Sequence, residues 1–221
     1  MGWWPPIRRS PAGRSWFACG RNSRPWSRRA TRHEPARPAS AMRVIAGAAR
    51  GIQLAAPRDR ATRPITDRVK ETLFGILGER VVEVRVLDLY AGSGAVGIEA
   101  LSRGATHATF VDKRRVALAA INENLRRTGL AEAATVRGED VGRFLKAGAA
   151  AGDRYGLVVL DPPYDERAIL PPLEGVVALL ARSATVVVKH FWRTPIPVPD
   201  GLRTWRDRRF GETTLTFLEV P

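Results

Sequence analysis

Between Val84 and His190 the chain carries five short apolar runs: "VRVLDLY", "HATFVD", "AATVRG", "GLVVLD" and "ATVVVKH". Each is separated from the next by a stretch long enough for a helix. Continuous apolar runs mark strands buried on both faces, and helix-length connections bring successive strands back parallel. With right-handed crossovers, this alternation predicts an α/β fold, a mostly parallel, doubly wound sheet. The helices are predicted from the glycine loop after the first run to Gly104, over Arg114 to Arg127 with Gly129 as its stop, through Phe144 and Leu145, and over "LEGVVALLA". After the fifth strand, "LRTWRDRRF", a turn at Gly211 and "TTLTFLEV" predict a C-terminal antiparallel hairpin closing one edge. Ahead of the sheet lies an N-terminal subregion, residues 42–79. It predicts a strand at Arg43 to Ala46, an extended piece at Ile52 to Ala55 and a basic loop "PRDRATRP". A helix capped by Thr66 follows, with an apolar face of Val69, Leu73, Ile76 and Leu77, and ends at Gly78.

The 221 residues suffice for one well-buried domain with an appendage, and no apolar run is long enough to span a membrane. The net charge of +14 points to a polyanionic partner. Nine arginines against Glu34 alone give the first 41 residues +8, which leaves +6 on the rest. That N-terminal stretch holds four of the six tryptophans and repeated prolines, with no apolar period. It reads as a disordered or non-native basic extension, with a transit peptide or an RNA-binding arm as alternatives, and Met42 has the look of a natural start. The remaining 42–221 form the expected catalytic domain. Cys19 is the only cysteine, which rules out an internal disulfide and suits the cytoplasm. Three scattered histidines and one cysteine predict no metal site.

"DLYAGSGAVG" places Gly92, Gly94 and Gly97 at the G-x-G-x-x-G spacing of a dinucleotide loop. Glycine at a strand-to-helix turn allows close approach of any ligand, so the neighbouring acids must discriminate. Ligands of a doubly wound sheet bind beyond the carboxyl ends of the strands. Asp88, just ahead of the loop, would repel a pyrophosphate but favours the cationic sulfonium and ammonium of S-adenosylmethionine; its plainer reading is a capping acid. Asp112, eighteen residues past Gly94, is placed for ribose hydroxyls. Asp140 is a candidate acceptor for the adenine amine, a helix N-cap, or both. Tyr90, Ser93 and Lys113 complete the expected cofactor set.

"LDPPY" ends the fourth run with Asp161, Pro162 and Tyr164. Two prolines stop strand and helix and leave their carbonyls free. An exocyclic amine is a poor nucleophile because its lone pair is delocalised. The Asp161 carboxylate and Pro162 carbonyl could accept its two hydrogens, draw the nitrogen toward tetrahedral geometry and aim the lone pair at a methyl donor. Tyr164 would stack on the base, at about 1–3 kcal/mol, which is comparable to the cost of flipping it out.

Five parallel strands with a final hairpin are the plan of the class I, Rossmann-like methyltransferases. "MRVIAG", "RG" at Arg50–Gly51, "TRPITDRVKETLF", "VLDLYAGSGAVGIEALSRGA", "FVDK", "LDPPY" and "FGETTLTF" together resemble the RsmD family of bacterial 16S ribosomal RNA guanine-N2 methyltransferases. The resemblance covers everything from Met42 onward. It implies S-adenosylmethionine-dependent methylation of a guanine in small-subunit ribosomal RNA or an assembling 30S particle, by a monomer. It also implies that the segment Arg63 to Arg68 folds over the cofactor or meets the RNA. Arg50, Arg63, Arg68 and Arg208 are then candidate RNA contacts. Two departures are visible: "GAARG" lacks a lysine after Gly47, and Lys189 stands where the family usually carries glutamate. Neither is expected to touch the cofactor loop or "DPPY". The alternatives are an adenine-N6 nucleic-acid methyltransferase, for which no segment is long enough to be a target-recognition domain, and a non-catalytic RNA-binding assembly factor.

Overall fold

The structure, a computed structural model, describes residues 42–57, 65–162 and 169–221. Its core is a seven-stranded sheet. β1 (Arg85–Leu89), β2 (His107–Val111), β3 (Ala134–Arg137), β4 (Tyr155–Leu160) and β5 (Leu180–Phe191) run parallel. β6 (Arg203–Phe210) and β7 (Thr213–Glu219) are antiparallel, and the order is β3-β2-β1-β4-β5-β7-β6. β7 sits inside and β6 at the edge. "TTLTFLE" supplies the buried Leu215, Phe217 and Leu218, whereas "RTWRDRRF" is charged enough to face solvent along an unpaired rim.

The helices split between the two faces. α1 (Asp67–Leu77), α2 (Ala95–Ser102) and α3 (Arg115–Thr128) bury Leu73, Phe74, Ile98 and Ile121 against Val86, Phe110, Val159 and Val187. α4 (Val141–Ala151) and α5 (Leu170–Val176) bury Phe144, Leu145, Leu173 and Val176 against Leu87, Leu89, Val158 and Val188. Neighbouring residues of one strand therefore feed opposite cores, which is why the runs are apolar throughout.

Four expected elements differ. The strand expected at Arg43 to Ala46 and the extended piece at Ile52 to Ala55 are joined by a single antiparallel bridge, Arg43 with Gln53, because Ile45 and Ala46 give their N–H groups to the Glu99 side chain instead of a strand. The short helix expected through Phe144 and Leu145 forms but runs longer, as the eleven residues of α4. The helix predicted over "LEGVVALLA" starts earlier, at Leu170, because Pro171 and Pro172 need no N–H partner in a first turn, and Leu180 already belongs to β5. The helix capped by Thr66 and closed at Gly78 forms as predicted, but Lys70 joins its buried face.

Lys70 and Glu99 are both fully buried, 3.5 Å apart. The Lys70 ammonium also donates to the Arg43 carbonyl, and Arg103 Nε donates to Glu99 at 2.8 Å. Ser102 and Asn124 continue this strap. Ala49 N donates to Ser102 Oγ at 3.0 Å, and Asn124 joins both polar groups of Ala55 to the Ser93 carbonyl. The segment 42–57 is thereby held against α2, which follows the glycine loop, and against α3. Residues 1–41, the first predicted unit, lie outside the described residues.

Candidate active site at the carboxyl edge of the sheet

The loop from β1 into α2 turns through three left-handed residues, Tyr90 (φ 61), Gly92 (φ 57) and Gly94 (φ 73). Gly92 and Gly94 meet the backbone requirement of the turn. Gly97 has a different reason: a Cβ there would stand 2.3 Å from the Phe110 ring, so glycine lets α2 lie close on β2. The ligand-facing part of the motif is thus Tyr90 to Gly94.

Asp88 is 3% exposed, and its Oδ2 accepts the Gly97 N–H at 3.0 Å. It braces the first turn of α2, the capping role that was its plainer reading. Burial pushes its carboxyl up to about 8, the Gly97 N–H opposes that rise, and the charges of Asp161 and Asp112 add to it. Near neutral pH the group is mostly protonated. A cation arriving at the loop would draw the proton off.

Asp112, at the end of β2, is almost fully engaged. Oδ1 accepts from Arg114 N (3.0 Å) and Nε (3.1 Å), and Oδ2 accepts from Gly92 N (3.0 Å) and Arg114 Nη2 (3.0 Å). A carboxylate offers about four acceptor directions, and these four donors take them. Ribose hydroxyls reach Asp112 only where the Arg114 guanidinium swings off. Sequence reading missed Arg114, although an arginine two residues past a strand-end acid is placed to fold back on it.

Asp140 is exposed and caps α4 through the Gly142 and Arg143 N–H groups at 2.9 and 3.4 Å. Its charge reaches Tyr90, whose hydroxyl is raised first by burial and then by Asp140. Ser93 Oγ lies 3.4 Å from Met42 Sδ, and Lys113 is exposed.

Asp161 follows β4, next to β1, with its N–H donating to the Leu89 carbonyl at 3.3 Å. Pro162 is buried, and Tyr164 lies outside the described residues. The largest departure from expectation is at Lys189. Its ammonium donates to both Asp161 oxygens, at 2.8 and 2.7 Å, so the substitution does touch "DPPY". Parallel register explains why. Leu160 of β4 lies opposite Val188 of β5, and the next residue of each strand is Asp161 and Lys189. Matching the carboxyl ends of the two runs would have revealed the pair. Burial pushes the Asp161 carboxyl upward, and Lys189 pulls it back.

The described candidate RNA contacts lie on three different elements. Arg50, Arg68 and Arg208 are exposed on the N-terminal turn, α1 and β6, and their side chains make no hydrogen bond or ion pair among the described residues. Arg63 lies outside the described residues. No helix among the described residues is long and apolar enough to cross a membrane.

A parallel core extended by an antiparallel pair in this order, with a glycine loop after β1 and an acid ending β4, defines the class I methyltransferase fold. The family described as "Conserved hypothetical protein 95" matches residues 42–219. The Ribosomal RNA small subunit methyltransferase D of Escherichia coli (strain K12) is 39% identical over 175 residues, which cover 77% of this chain and 86% of that relative. The solved structure of the Escherichia coli protein yhhF superposes with a TM-score of 0.73 at 32% identity, covering 81% of this chain and 98% of its own. A hypothetical protein of Thermus thermophilus gives 0.70 at 34%, covering 80% and 99%. The chain belongs to this family, the RsmD family of methyltransferases, to which the sequence motifs pointed.

Proposed function

We propose that residues 42–221 transfer a methyl group from S-adenosylmethionine to the exocyclic N2 amine of a guanine in small-subunit ribosomal RNA, free or in an assembling 30S particle. The observation that carries this reading is the placement of Asp161: a carboxylate at the end of β4, hydrogen-bonded through its backbone to β1 and so beside the glycine loop. Family membership supports the reaction class and the RNA substrate.

The fit of the cofactor rests on the loop itself. Gly92 leaves open room, since a Cβ there would meet nothing closer than 3.8 Å. Asp88 lies behind the loop as a latent counter-charge. Bound there, S-adenosylmethionine would supply a methyl carbon on cationic sulfur, with a neutral thioether as the leaving group. Asp161 and the Pro162 carbonyl accept the two amine hydrogens and localise the nitrogen lone pair. The proton of the methylated, cationic nitrogen then passes to the Asp161 carboxylate or to solvent. Tyr164 stacks on the base. Tyr90, Ser93, Lys113 and Asp140 line the cofactor side, and Asp112 takes the ribose after Arg114 yields. Exposed Arg50, Arg68 and Arg208 contribute phosphate contacts and a salt-sensitive affinity.

The test is incubation of small-subunit particles and ribosomal RNA lacking this modification with the enzyme and labelled S-adenosylmethionine, followed by mapping of the modified nucleotide. Label in a single guanine as N2-methylguanine is expected. Asp161→Asn should reduce turnover by about a thousandfold while cofactor affinity stays within a few fold. Label in adenine would favour the adenine-N6 reading, and none would favour an assembly factor.

A further inference from the structure

Lys189 has no part in the chemistry set out above, yet it makes the shortest ionic contact in the site. The Asp161 and Lys189 side chains share the sheet face of Val159 and Val187, two residues earlier on each strand. The ammonium lies 2.8 and 2.7 Å from the two carboxylate oxygens. The two partners differ in exposure: the Lys189 side chain is 9% accessible and that of Asp161 is 33%. The lysine is thus the more buried partner, and Asp161 keeps part of its side chain open beside it. One ammonium touching both oxygens takes the acceptor directions that face each other and leaves the outward pair.

We propose that Lys189 is a positioning residue of the methyl-transfer site: it grips Asp161 from the buried side, so that the carboxylate presents its open side to the target amine in one orientation. This rests on the methyl-transfer role of Asp161 given above. The electrostatics agree. Burial drives Asp161 toward its neutral form, and Lys189 is the charge that opposes it. Among the described residues the acid coupled to it is Asp88, on β1 at the far flank of β4, and burial keeps that group mostly protonated near neutral pH. A protonated Asp161 would turn a hydroxyl toward the amine and lose an acceptor.

The experiment compares full-length wild type with Lys189→Met, which keeps length and loses charge, and Lys189→Arg, which keeps the charge. Methyl transfer is followed against pH, and the Asp161 carboxyl is titrated by carbon-13 NMR without substrate. In Lys189→Met the acid limb of kcat/KM and the Asp161 midpoint should both rise by about one pH unit or more. At pH 7 kcat should fall about tenfold, with the RNA KM within about threefold. Lys189→Arg should keep the acid limb near that of wild type. An unmoved midpoint overturns the proposal. So does a higher kcat in Lys189→Met, which would mean that the ammonium occupies the place of the amine. The titration separates the two readings: a moved midpoint in a protein that methylates no RNA overturns the methyl-transfer reading and leaves the Lys189–Asp161 coupling standing.

Discussion

Asp88→Asn tests whether the buried acid behind the glycine loop is a latent counter-charge. In the folded chain its carboxyl is raised from 3.8 to about 8, chiefly by burial. Between those values the folded state holds a proton that the unfolded state has released. The slope of unfolding free energy with pH is then negative, at about 1.4 kcal/mol per pH unit. The stability that Asp88 contributes is fully present below the unfolded value and is lost as pH rises through the folded one. From pH 5 to pH 8 the loss is about 4 kcal/mol. Asparagine keeps an oxygen for the Gly97 N–H and cannot ionise, so this part of the slope should vanish. Urea unfolding at pH 5, 6, 7 and 8 reads it directly: wild type should lose ground against Asp88→Asn by about 1.4 kcal/mol per unit. Titration calorimetry adds the functional half. The cationic cofactor should bind wild type more tightly as pH rises toward 8, by up to about tenfold per unit as one proton is released. The variant should bind weakly and without that dependence. A constant stability difference between the two proteins would refute the buried titration. A changing difference with pH-independent cofactor affinity would refute the counter-charge and leave Asp88 as the brace of α2.

Two further outcomes follow from pairings around the loop. Arg114→Ala removes the two guanidinium donors and opens one acceptor direction on each Asp112 oxygen, while the backbone N–H groups of positions 92 and 114 still donate. S-adenosylmethionine should then bind about tenfold more tightly, matching about 1.4 kcal/mol of guanidinium displacement no longer required, and weaker binding in calorimetry would mean that Arg114 itself holds the cofactor. Glu99→Gln removes the ion-pair partner of the fully buried Lys70, leaving the negative charge of Asp67 near it, and should cost about 3–5 kcal/mol in urea unfolding. Limited proteolysis should then cut near 42–57 first, since Ile45 and Ala46 depend on that carboxylate; unchanged protection would show that the apolar contacts of Met42 and Val44 hold the segment unaided.

How much of this was legible beforehand depends on the range of the interaction. The parallel strands, the Thr66 cap, the stop at Gly129 and the left-handed loop glycines follow from local chemistry, because apolar runs, caps and positive φ act within a few residues. The same reading placed Asp88, Asp112, Asp140 and Asp161 at strand ends. It did not reach Lys70 with Glu99, which are 29 residues apart and are charged groups that pattern reading assigns to solvent. Nor did it reach the short N-terminal bridge, whose N–H groups are claimed by a helix more than fifty residues away.

The sequence by itself determined the architecture and the family and pointed to the carboxyl edge for the candidate site, because each depends on residue type and spacing along the chain. Only the tertiary structure decided what each acid faces. Burial leaves Asp88 protonated behind its helix, a folded-back Arg114 fills Asp112, and the register of β4 against β5 puts Lys189 on Asp161. A carboxyl is charged, neutral or paired according to the dielectric and the donors around it, and those come from strands that meet only in the folded chain.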